Sequence, residues 1–201
     1  MTVEHSSLTG GQLHEPKGVG AAAAGTLGIA ASSAISWGKI TGEDSATASA
    51  SSALTFTDLE DYLMVRLVFV DLLRATAITT LRMRLSSDNG SSYISTSTYG
   101  TRWMDAAGGE SEEDTSFNLS GDNTYLYNSG IITLYNFNSA TPTSMQGTMI
   151  CSTSASGGGT ANPQYLVGLQ QGSTAMNAIQ ILSGLGNLTS GSVYLEGFKG
   201  S

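Results

Sequence analysis

Side chains able to do chemistry are few in this chain, and their positions say as much as their number. The two histidines, His5 and His14, both lie within the first fifteen residues. The remaining sequence therefore lacks the commonest general base and metal ligand. Cys151 is the single cysteine, which leaves no intrachain disulfide framework and no cysteine-based zinc site. Its setting, Met149-Ile150-Cys151-Ser152, reads as a strand holding a buried, inert thiol rather than a nucleophile. Carboxylates cluster at Glu110-Ser111-Glu112-Glu113-Asp114, yet this run has neither the alternating Asp/Asn spacing nor the glycine turn of a helix-loop-helix calcium site. It reads as a solvated acidic loop, and Asp88-Asn89-Gly90 reads as a turn before a ligand set. Asp58, Glu60 and Asp61 offer a carboxylate pair of the kind glycoside hydrolysis uses, but that chemistry needs a cleft with aromatic stacking surfaces, and the chain has two tryptophans. Neither a Gly-x-Ser-x-Gly elbow nor a Walker-type phosphate loop occurs. The expectation is a protein without catalytic residues, metal or cofactor.

The elements that would carry these residues are short strands. Tyr62 to Val70 is almost continuously apolar and rich in β-branched and aromatic residues, which predicts a central strand covered on both faces, with Leu63, Val65, Leu67 and Phe69 towards the main core. Leu59, Leu63, Leu67 and Val70 also recur at helical spacing, so a helix over 58–73 is the rival reading. Thr80 to Leu85 alternates, with Leu81, Met83 and Leu85 inward and Arg82 and Arg84 outward. Asn89-Gly90 then supplies a turn that sends the chain back towards Tyr93 and Ile94. Further strands are predicted at Ile131–Phe137, Ser144–Cys151, Gln164–Gln170, Ala175–Leu182 and Ser192–Phe198. The interval Asp105 to Asp122 reads as a long surface loop with a short strand near Phe117 and Leu119, and Gly157-Gly158-Gly159 as a second loop. About eight strands joined by Gly, Ser and Asn turns predict an all-β fold, an antiparallel β-sandwich of jelly-roll type over residues 53–201.

Residues 1–52 are different in kind. Ala, Gly and Ser dominate, with scattered Leu27, Ile29, Ile35, Trp37 and Ile40, a composition that cannot build a core of its own. It predicts an extended N-terminal arm ordered by contacts with neighbours, since fixing each residue costs roughly 1–2 kcal/mol. Fully stretched, such an arm reaches on the order of 150 Å.

Composition narrows the partners. Apolar residues make up 40% of the 201-residue chain, enough for a core, while charged residues are only 12%, about half the usual share. A neutral, hydroxyl-rich surface of this kind suits a β-rich protein that meets other protein surfaces. A formal charge of −8 with eight Lys and Arg argues against a nucleic-acid partner, whose backbone is bound by cations. No stretch approaches the roughly 18 apolar residues of a membrane helix, and the polar, acidic first ten residues do not form a secretory signal.

The arm motif Leu13-His14-Glu15-Pro16-Lys17-Gly18-Val19, followed by the Ala/Gly stretch and Ile35-Ser36-Trp37-Gly38, resembles the start of small structural proteins of tailed-bacteriophage virions. The closing segment from Ile179 to Lys199, two strands joined through Gly186-Asn187-Leu188-Thr189-Ser190-Gly191 and ending Leu195-Glu196-Gly197-Phe198-Lys199, resembles the final hairpin of the sandwich domain in virion proteins that share the arm. The resemblance implies a virion component assembled in the host cytoplasm, preferably a capsid decoration, cement or head-fibre protein. It would fasten to neighbours, the major capsid protein first and tail proteins second, through Leu13 to Val19 and Trp37. His14, Glu15 and Lys17 would make the polar contacts, and Pro16 favours an extended or turn path. A homo-oligomer, with a trimer as the first expectation, goes with such a role. Tyr93, Tyr99, Trp103, Tyr125 and Tyr127 are expected to be exposed, lining a host-glycan-binding face or packing between subunits. The alternative function is accordingly a tail or fibre module that recognises a host-surface glycan.

Overall fold

The structure, a computed structural model, describes residues 37–39, 45–76, 79–105, 108–120, 126–153 and 161–199, with the backbone alone for 37–39, 105 and 108–113. The described residues contain thirteen strands and no helix. The strands are β1 (Trp37–Lys39), β2 (Ser45–Thr47), β3 (Ala53–Phe56), β4 (Tyr62–Arg74), β5 (Leu81–Ser86), β6 (Tyr99–Asp105), β7 (Gly108–Asp114), β8 (Phe117–Asn118), β9 (Tyr127–Tyr135), β10 (Thr143–Ser152), β11 (Ala161–Gln170), β12 (Ala178–Ser183) and β13 (Leu188–Lys199). They form two antiparallel sheets, the larger in the order β1-β13-β4-β9-β10-β11-β6-β7 with β2 also on β13, the smaller in the order β3-β12-β5-β8.

That order is a jelly roll with additions. An eight-stranded jelly roll pairs its strands first-eighth-third-sixth in one sheet and second-seventh-fourth-fifth in the other. Counting from β3, the smaller sheet follows the first order, and β4 to β7 follow the second with the meander β9-β10-β11 in the seventh place. Three strands preserve the antiparallel sense that one would have had. β13 then extends the larger sheet beyond β4, with β1 and β2 outside it.

The β4 segment is a strand throughout, which settles its periodicity against the helix. Val65, Leu67, Phe69 and Leu72 are buried, whereas Leu63 and Val70 are 40% and 44% exposed. Two irregularities explain the departures from strict alternation. The pairing of β4 with β13 slips between Phe198 and Lys199, which turns Leu63 out and lays the Tyr62 ring over Gly197. Asp71, at φ 48°, forms a bulge at which the pairing with β9 skips from Phe69 to Leu72, and the Ser129 hydroxyl ties it by accepting from the Asp71 N–H (2.9 Å) and donating to its carboxylate (3.1 Å). The expectation that Leu63 faces the core and that the strand is covered on both faces is therefore corrected: one face of β4 packs and the other lies open.

Between the sheets sits one continuous core that includes Phe56, Leu67, Phe69, Met83, Leu85, Phe117, Ile132, Leu134, Met149 and Ile181. Cys151 is buried in it. Leu81, Met83 and Leu85 face inward, and Arg82 and Arg84 outward. Asn89 and Gly90, at φ 56° and 82°, make the left-handed pair that a tight reversal requires, after which the Ile94 N–H donates to the Leu85 carbonyl (2.9 Å).

Two boundaries differ from those the sequence predicts. Asp105 to Asp114 is no surface loop: β6 and β7 form a hairpin paired from Tyr99–Asp114 to Asp105–Gly108, and the acidic run is the free edge of the larger sheet. Charge on an open edge discourages pairing with a foreign strand. At the other end, Trp37–Lys39 pairs with Phe198–Glu196 and Ser45–Thr47 with Tyr194–Ser192, so the compact body begins at Trp37 rather than at residue 53.

Candidate functional site

The feature that sets this sandwich apart is the outer face of its larger sheet. Cross-strand register places Tyr194, Val68, Ile131, Thr148, Tyr165 and Met104 in one row across β13, β4, β9, β10, β11 and β6. The next row reads Glu196, Arg66, Thr133, Gln146, Val167 and Arg102, and the one after it Phe198, Met64, Tyr135, Ser144, Leu169 and Gly100. Met104, Ile131, Ile150, Tyr165, Val167, Leu169 and Tyr194 all stand exposed on this face.

β11 shows the inversion most clearly. Gln164 and Gln170 point into the sandwich and are 1% and 2% exposed, while Tyr165 and Val167 on the outer face are 60% and 50% exposed. The smaller sheet does the reverse and turns Thr55, Gln180, Arg82 and Arg84 outward. A strand that places glutamine inside and tyrosine and valine outside reverses the usual order of burial and leaves an exposed apolar face.

Within the face lies a shallow groove of about 550 Å³, lined by Met104, Ile131, Tyr135, Gln146, Thr148 and Tyr165 among others. Small and polar groups on β10 lie between taller side chains on β9 and β11. Charge is sparse: Arg66 and Glu196 form an ion pair with each other, leaving Arg102 exposed on β6. No group of three or more His, Cys, Asp or Glu among the described residues is placed to hold a metal ion.

The residues expected to serve as sites are scattered. Leu13, His14, Glu15, Pro16, Lys17, Gly18, Val19 and Tyr125 lie outside the described residues. Trp37 opens β1, its backbone opposite Phe198. Tyr93 is half-buried beside Gly90 and Thr57. Tyr127 is half-buried on the outer side of β9. Tyr99 and Trp103 are not exposed: both point into the core, at 0% and 3%, because the alternation of β6 gives its outer positions to Gly100, Arg102 and Met104. The Tyr99 ring meets Phe117 edge-on at 4.9 Å, and its hydroxyl accepts the Leu85 N–H (2.9 Å). Burial pushes the Tyr99 phenol up to about 12. The residues that do share a surface, Tyr165, Tyr135, Tyr194, Ile131, Ile150, Val167, Leu169 and Met104, form no motif. The signal for them is the conflict in β11, where two glutamines share one phase and Tyr, Val and Leu the other.

A second polar constellation surrounds the β5 turn. The Asp88 carboxylate accepts from the Ser86 hydroxyl (2.6 Å), the Ser92 hydroxyl (2.5 Å) and the Ser92 N–H (2.8 Å), and these bonds hold its pKa down at about 2. Asn89 donates to Asp58 (2.7 Å) and accepts the Asp58 N–H (2.7 Å), while the Asn89 N–H donates to the Asn177 side chain (2.9 Å). These bonds satisfy one another and lock three loops together. At the mouth of β7, burial raises the Asp114 carboxyl, but the Thr115 N–H, Arg82 and Asn118 outweigh it and hold it below its usual range. No protein-family model, curated protein or solved structure matches the chain.

Proposed function

We propose that this chain is a non-enzymatic structural protein of a tailed-bacteriophage virion, a capsid decoration, cement or head-fibre component that joins the particle through its N-terminal arm. The observation that carries the assembly role is the apolar outer face of the larger sheet. A sandwich with one polar outer face and one apolar outer face is matched to a protein neighbour on the apolar side. The arm motif carries the virion part of the reading; the closing segment is not the expected hairpin, because β12 lies in the smaller sheet and β13 in the larger. The work is mechanical: the arm and the sheet face cover surface on adjacent subunits, and what binds only the assembled state stabilises it.

The test is co-sedimentation with particles stripped of this protein. The full chain is expected to bind and a chain starting at Trp37 to stay in solution; equal binding by both would remove the arm from the mechanism, and binding by neither would remove the virion reading.

A second reading has an observation of its own. Tyr135 and Tyr165 flank Thr133, Gln146 and Thr148 in the groove, and aromatic rings beside hydroxyl and amide groups suit a neutral glycan. A glycan-array signal abolished by Tyr165→Ala would favour host recognition by a tail or fibre module.

A further inference from the structure

We infer that the occupant of the apolar outer face is a second copy of this chain, with Tyr165 of one copy seated in the β9-β10-β11 groove of the next. This rests on the reading of the chain as an assembly protein and names the partner of that surface.

Area is the first argument. The exposed fractions of Met104, Ile131, Ile150, Tyr165, Val167, Leu169, Tyr194 and Val70 amount to on the order of 800 Å² of largely apolar surface, about what one partner contributes to a stable interface and above the largest patch of an ordinary monomer.

Charge is the second. Two copies of a chain with formal charge −8 repel unless they meet where acid is absent or already neutralised. Across the three rows from β13 to β6 the one carboxylate, Glu196, is paired with Arg66 of the same copy, and the other acids of the face stand at its rim: Asp71, tied to Ser129, and Glu113, on β7 opposite Gly100. The acidic strand β7 forms the far edge of the sheet, beyond β6, and the centre of the face over β9, β10 and β11 carries no charged residue. Like charges need not be opposed across the contact.

Shape is the third. The face carries both a projecting side chain, Tyr165 at 60% exposure, and beside it the groove over Gln146, Gly147 and Thr148. A surface with its own knob and hole is self-complementary, as a two-fold contact between identical subunits requires. Tyrosine is also a residue type on which interfaces concentrate their binding energy.

The experiment is sedimentation equilibrium on the full chain at roughly 100 µM, well above a micromolar Kd. The expected result is a dimer, twice 20.7 kDa, because a knob and hole on one face pair about a two-fold axis. Tyr165→Glu and, independently, Ile150→Lys are expected to raise the dissociation constant at least about tenfold with an unchanged circular-dichroism spectrum. Should Tyr165→Glu fail to fold, Tyr165→Ser, which only shortens an exposed side chain, takes its place. A wild-type chain that sediments as a monomer overturns the inference, as does an oligomer that these substitutions leave intact. Failure of the assembly reading looks different: a chain that self-associates yet never joins particles refutes the virion role, and a monomer that joins them refutes only this contact.

Discussion

Tyr99 spans the two sheets with a polar tip in an apolar setting, and two outcomes follow from that position. Its hydroxyl accepts the buried Leu85 N–H, so Tyr99→Phe leaves that donor without its acceptor and is expected to cost about 1–3 kcal/mol in chemical denaturation. The phenol ionises near 10 in an unfolded chain and near 12 in the folded one. A pKa raised on folding gives stability that is complete below pH 10 and is lost as the pH rises from 10 towards 12. Melting curves across that range should fall for the wild type and fall less for Tyr99→Phe. Asp88 has the opposite sign. Its pKa is lowered from 3.8 to about 2, so its contribution is present above pH 4 and is lost as the pH falls towards 2. In Asp88→Asn the melting temperature should depend less on pH within that window. At this scale the sequence was partly legible. The Asn89-Gly90 turn is written in residue types, whereas the burial of Tyr99 and Trp103 is not, because Ser, Thr and Gly around them disguise a strand as a loop. Alternation along β6 then decides which side chains enter the core.

At the scale of elements, the strands with a clean alternation were legible and those with two competing phases were not. β5 carries Leu81, Met83 and Leu85 against Arg82 and Arg84 and needs no structure to orient it. β11 offers Leu166 and glutamines in one phase and Tyr165, Val167 and Leu169 in the other, and the rule that apolar residues point inward selects the phase that in fact points out. The resolution comes from its neighbours: β10 places Met145, Met149 and Cys151 in the core, and pairing fixes β11 to match. The meander has a tight point. A Cβ at Gly147 would press on the Ile131 carbonyl and lie 2.9 Å from the Ile132 Cα. Gly147→Ala must therefore part β9 from β10 and is expected to cost about 1–3 kcal/mol. Thr148→Ala, one residue along and exposed, should stay within about 0.5 kcal/mol in the same urea titration.

For the whole molecule, the sandwich and its antiparallel sheets follow from the count of short strands and their turns, while the extent of the body does not. Residues 37–47 have the small-residue composition of the arm, yet β1 and β2 line the edge of β13, and Ala48 is buried. Backbone pairing needs no particular side chains, and so leaves little trace in composition. A chain beginning at Trp37 is expected to unfold cooperatively with a melting temperature within a few degrees of the full chain. A chain beginning at Ala53 exposes the β13 edge and should melt measurably lower or associate through that edge. Equal stability of the two would show that β1 and β2 contribute nothing to the body.

In the proposed role, the outer face of the larger sheet is covered by protein in a virion. Cryo-electron microscopy of the intact particle tests this most directly, by locating the sandwich and asking what lies against Tyr165, Ile131 and Val167. Protein density packed on that face, with the arm running to a neighbouring subunit, is the expected result. A sandwich missing from the particle, or present with this face open to solvent, would contradict it.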